Sequence, residues 1–105
     1  METNKLELLI VEPWDAYKKI GLELVNSKEG QFLFKLLLPL NYKGKKFDYL
    51  IGSLRNTTQN DSFMKGFQGI YVFNLFYDEE LNEGSFNNLD TLKFRGNFLL
   101  GEITL

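Results

Sequence analysis

The residues that usually carry catalysis are scarce in this chain. Its 105 residues include no His and no Cys. That removes the commonest general base, the thiolate nucleophile and cysteine-ligated zinc. Hydroxyls stand at Ser27, Ser53, Ser62 and Ser85, but no imidazole is present to activate them. A lysine base or a carboxylate pair drawn from Asp15, Asp48 and Asp61 is the route left open, and their spacing alone does not bring them together. The phosphate-cradling pattern G-x-x-x-x-G-K-S/T does not occur. The expectation is a non-enzymatic protein with no catalytic residue, no metal site and no cofactor.

Three other stretches could bind something. Asp78-Glu79-Glu80-Leu81-Asn82-Glu83-Gly84 has the composition of a calcium loop, so spacing decides. Counted from Asp78, Glu83 falls where such a loop needs glycine and Leu89 where it needs glutamate. The stretch reads instead as solvated carboxylates that would steer a basic partner. Lys65-Gly66-Phe67 opens like the RNA-recognition pattern K/R-G-F/Y-G/A-F-V-x-F/Y, but Gln68 and Gly69 break the register that would space the stacking aromatics. Lys43, Lys45 and Lys46 interleave with Tyr42, Phe47 and Tyr49. That cluster could hold phosphates and stack bases, or it could blunt a turn with solvated lysines. Arg55 and Arg95 are the only guanidinium groups and could clamp a carboxylate or phosphate.

The elements that must position these residues read as strands. Lys5 to Glu12 alternates, with Leu6, Leu8 and Ile10 opposite Lys5, Glu7 and Leu9, and Pro13 ends it. Pro13 to Lys19 is compatible with one helical turn or an irregular crossover. Ile20 to Asn26 alternates again, Ile20, Leu22 and Leu24 against Gly21, Glu23 and Val25, and Ser27 to Gly30 is a turn with Gly30 free to take positive φ. Gln31 to Leu38 puts Phe32, Phe34, Leu36 and Leu38 on one face, with Pro39 as its stop. After a turn at Asn41 to Lys45, the return strand runs to Leu54, with Phe47, Tyr49 and Ile51 opposite Lys46, Asp48 and Leu50. Arg55 to Lys65 is polar without a strong period and reads as a loop. Gly66 to Tyr77 is the most apolar strand, Asp78 to Asp90 a long connection, and Thr91 to Leu105 a closing strand that Gly96-Asn97 breaks or bulges.

The predicted fold is all-β and mainly antiparallel: a small barrel or strongly curled sheet of about six strands, with at most one or two short helical turns. The length suits one domain spanning 1–105. A hydrophobic fraction of 44% and an aromatic fraction of 15% supply a core without disulfides. Net charge is −2, which gives no long-range pull toward nucleic acid or an anionic membrane. The start of the chain does not read as a secretory signal, and no run is long enough to cross a bilayer as a helix, so a cytoplasmic setting is expected. Ten Lys against two Arg, and ten Asn against one Ala, suggest AT-rich coding of the bacterial or phage kind.

On an extended backbone Ile70, Val72, Asn74 and Phe76 face one way, and Tyr71, Phe73, Leu75 and Tyr77 the other. Both faces are largely apolar, unlike an antiparallel strand with one wet side. Either the chain covers the second face, with Trp14 and Tyr17 as candidates, or another molecule does. The expected activity is therefore protein binding, as an inhibitor, immunity protein or adaptor, with Trp14, Tyr71, Phe73, Tyr77, Asp78, Glu79 and Glu80 at the contact. Self-association into a homodimer is the same chemistry with a second copy. One alternative is a barrel that binds a nucleotide-like or anionic metabolite through Arg55, Arg95 and Tyr49. The other is single-stranded nucleic-acid binding through Lys43, Lys45 and Lys46.

Overall fold

The computed structural model describes residues 5–12, 18–28, 30–42, 44–77, 84 and 98–105. Strands β1 (Lys5–Glu12), β2 (Lys18–Lys28), β3 (Gln31–Tyr42), β4 (Lys45–Leu54), β5 (Ile70–Tyr77) and β6 (Phe98–Thr104) form a closed barrel in chain order. Every neighbour pair is antiparallel, and β1 pairs with β6 to close the ring, with Leu8 opposite Ile103. Closure pairs each strand on both sides, so no strand is left as an edge open to chance pairing. So few strands make a barrel narrow enough for side chains to fill it.

The alternation of apolar residues decides what fills it. Leu8, Ile10, Leu22, Phe32, Phe34, Leu36, Leu50, Leu54, Phe73, Leu75 and Ile103 are buried in one cluster. The expected faces of β1, β2 and the first half of β3 hold. Two positions carry glycine because the interior reaches the backbone there. A Cβ on Gly52 would lie 2.9 Å from Leu75 and 3.0 Å from Phe34, and one on Gly101 only 2.7 Å from Leu8. The hairpin of β2 and β3 pairs Lys28 with Gln31 and turns on Gly30 at φ 80°, the positive φ that glycine adopts without steric cost.

Two strands depart from simple alternation. The β3–β4 ladder slips between Lys35 and Leu40, so β3 continues through Pro39 to Tyr42 instead of stopping at Leu38. A bulge is where a sheet tolerates proline, since no ladder hydrogen bond is asked of it. Leu38, expected on the inner face, is 82% exposed on this slipped segment. On β4 the same slip changes the phase. Phe47, Leu50 and Leu54 are in the interior cluster, whereas Tyr49 and Ile51 belong to a separate one.

The connection after β4 is not a plain loop. Asn56 caps a 3-10 turn, Thr57–Gln59, its Oδ1 accepting from the Thr58 amide at 3.2 Å and the Thr58 hydroxyl at 2.6 Å. Helix α1 (Asn60–Met64) follows. A Cβ on Gly30 would sit 3.4 Å from Asn60 Nδ2, which places this connection against the β2–β3 turn. Phe63 turns into the barrel end, with its ring 5.1 Å from Phe32, 5.2 Å from Tyr71 and 5.0 Å from Phe73. Edge-to-face contacts of this kind add to the burial of the rings themselves. Among the described residues no helix is long and apolar enough to cross a membrane.

Candidate functional site

Among the described residues the exposed large apolar side chains fall in two places. Leu37 and Leu38 lie on the slipped part of β3, where Leu37 packs over Gly21. Met64, Phe67 and Ile70 lie between the end of α1 and the start of β5, at 50%, 56% and 59% exposure.

The second group is held by a defined local structure. The Gly66 amide donates to Phe63 O at 3.1 Å and the Phe67 amide to Ser62 O at 3.0 Å, with Gly66 at φ 75°. This is the helix-ending motif in which glycine takes the left-handed position and the next residue folds back. The sequence Lys65-Gly66-Phe67 is therefore a helix stop. In such motifs the residue after the glycine commonly makes a hydrophobic contact one turn back, at a position held here by Ser62 after Asp61. Phe67 has no apolar partner there, and its ring stays out. The backbone beneath it is pinned. The Tyr71 hydroxyl donates to Phe67 O at 2.8 Å, and Gly69 and Leu105 exchange backbone hydrogen bonds at 3.1 and 2.9 Å. The Lys65 ammonium stands 6.0 Å from the Phe67 ring centre, at the outer limit of a cation–π contact.

The residues expected at a partner surface fare differently. Tyr71 and Phe73 are 1% and 0% exposed and point into the barrel, so the expectation that they meet a partner is corrected. Their face of β5 is the core face, because Phe63 and the rings of β3 close over it. Tyr77 is half-buried at the far end of β5, its ring 5.0 Å from Phe47. The outer face of β5 is split: Ile70 is exposed, while Phe76 is buried with Leu33 and Ile51 in a row flanked by Val25 and Tyr49. That row lies outside the barrel and is shielded in the isolated chain, so Phe76 does not wait for another molecule. Trp14, Asp78, Glu79 and Glu80 lie outside the described residues.

The described residues of the alternative sites are not brought together. Arg55 follows β4 at the α1 end and is exposed, whereas Tyr49 is half-buried six residues earlier. At the rise of a strand that separation is roughly 20 Å. Arg95 and Lys43 lie outside the described residues. Lys45 opens β4 and Lys46 is exposed, but the neighbouring Phe47 is 3% exposed and inside the barrel, unable to stack a base. The interior is filled down to Gly52 and Gly101, which leaves no space at those layers for a planar ligand. Among the described residues no group of three or more metal-ligating side chains gathers.

Sequence reasoning missed Met64, Phe67 and Ile70. The available signal was the glycine two residues after Met64, which marks a helix end and leaves Phe67 displayed on it. Compared with family models, curated proteins and solved structures, the chain matches none.

Proposed function

We propose that this chain is a non-enzymatic protein-binding module that holds its partner through the tip formed by Met64, Phe67 and Ile70. The observation that carries the reading is the Phe67 ring, more than half exposed on a backbone tied down at both sides. At an interface such a ring supplies a large contact whose ordering cost has already been met. Phe, Met and Arg are enriched at protein contacts, and Arg55, bonded through its amide to Val72 O, shares the outer face with Ile70. The absence of His and Cys leaves few of the usual routes to catalysis.

The test places a photo-cross-linking phenylalanine analogue at position 67, and separately at position 38, in the cell of origin. One discrete cross-linked product from position 67, lost on Ile70→Lys, is expected. No product from position 67, or the same products from both positions, would refute the reading. As a hot spot, Phe67→Ala should weaken partner binding by about 30-fold, equivalent to roughly 2 kcal/mol.

A further inference from the structure

Resting on that reading, we infer that the partner brings a carboxylate to Arg55, so that the tip recognises an apolar side chain and an acidic group presented together by one protein segment. The Arg55 amide donates to Val72 O at 2.9 Å, which fixes its backbone beside Val72. Arg55 follows the inward-facing Leu54 and is itself exposed, so it belongs to the outer face. Ile70 is one diagonal step away on that face, about 7–8 Å for such neighbours. An apolar anchor and a guanidinium thus stand within reach of one short segment.

The charges around the tip favour an acidic visitor. Lys65 flanks Phe67, Arg55 flanks Ile70, and Lys28 extends the same side beyond Gln31. Against them stand Asp61 on α1 and Glu102, half-buried across Val72. Among the described residues no ion pair holds Arg55, Lys28 or Lys65. A guanidinium is suited to a carboxylate because it can donate two parallel hydrogen bonds to it.

The surface next to Arg55 suits a peptide. Lys28, Gln31, Ser53 and Asn74 are successive partners across β2 to β5, forming one outward row. Their side chains make no hydrogen bond to another described residue. They offer donors and acceptors to a polypeptide backbone. A second copy of this chain, docked tip to tip, would set Arg55 and Lys65 against their own kind, and like charges oppose such a contact.

The experiment selects a short random peptide library, displayed on phage, against the whole protein. Survivors should share an aromatic or aliphatic residue and an Asp or Glu at constant spacing. In fluorescence anisotropy the best of them should bind Phe67→Ala weakly, Arg55→Lys a few-fold more weakly than wild type, and Arg55→Glu at least roughly tenfold more weakly. Changing its acid to the amide should erase the difference between Arg55 and Arg55→Lys. Survivors without a shared acid, sensitive to Phe67→Ala but indifferent to Arg55→Glu, overturn the carboxylate and leave the tip reading standing. No survivors, or survivors indifferent to Phe67→Ala, overturn both. Two controls name the other occupants. Co-sedimentation with phosphatidylserine vesicles that depends on Phe67 and Arg55 assigns the tip to a membrane. A dimer mass abolished by Phe67→Ala assigns it to a second copy. Either result overturns the inference.

Discussion

Replacing Phe63 by alanine removes the ring that closes one end of the barrel, while replacing Phe67 removes a ring from the same connection that touches little. Phe63 is 3% exposed and meets the rings of Phe32, Phe34, Tyr71 and Phe73 at centre distances of 5.1, 6.4, 5.2 and 5.0 Å. Truncating a buried Phe to Ala costs about 3–5 kcal/mol, and these edge contacts place Phe63→Ala in the upper half of that range. A domain of this size has a total stability on the order of 5–15 kcal/mol, so the loss is a large fraction of it. Phe67→Ala should stay within about 0.5 kcal/mol of wild type, as surface changes do. Urea denaturation followed by Tyr fluorescence measures both, with the slope expected to stay constant and the midpoint to fall only for Phe63→Ala. Equal effects of the two substitutions, or a Phe63→Ala cost below about 1 kcal/mol, would refute the claim that α1 plugs the barrel.

The remaining predictions use the same measurement. Gly66→Ala should cost about 1 kcal/mol through its φ of 75° alone, since nothing lies within 4 Å of the new methyl, and Gly66→Asn should cost less. Gly101→Ala should cost about 1–3 kcal/mol for the opposite reason, because its methyl would meet Leu8 at 2.7 Å and the Leu9 carbonyl at 3.2 Å. Tyr71→Phe should cost about 1 kcal/mol by removing the hydrogen bond to Phe67 O, and should speed amide exchange from Phe67 to Gly69. Ile51→Lys should unfold the protein or cost more than about 3 kcal/mol, while Ile70→Lys on the same outer face should be nearly neutral, because only the first is buried.

Much of the barrel is legible in the chain because period two is a strong signal. Leu8 and Ile10, and Leu22 with its neighbours, announce their inner face without help from any other strand. The misread strand faces, Leu38 and Ile51, share one cause. Alternation predicts a face only while the ladder stays in register, and the slip near Pro39 sends Leu38 outward and Ile51 to the other side of the sheet. A bulge leaves little trace in composition. The polar run from Arg55 to Lys65 hides a helix because a helix of five residues buries one side chain, Phe63, and so shows no period. The apolar excess of β5 was visible, but its disposal was not. Tyr71 and Phe73 look like interface residues in a list of types, and only the closed ring shows that they fill its interior. The tip was obscured for a similar reason, since Phe67 gains its meaning from the turn of Gly66 and from what Ser62 fails to cover.

The claim on which the rest stands is that β5 turns its aromatics inward and covers Phe76, leaving the α1 tip and Ile70 for contact. Methyl NMR with a soluble paramagnetic agent tests it directly. Met64 and Ile70 signals should broaden strongly, and Leu8, Leu33, Ile51, Leu75 and Ile103 should be protected. Broadening of Ile51 and Leu33 to the extent of Ile70, or protection of Met64 and Ile70 in a monomer, would contradict it.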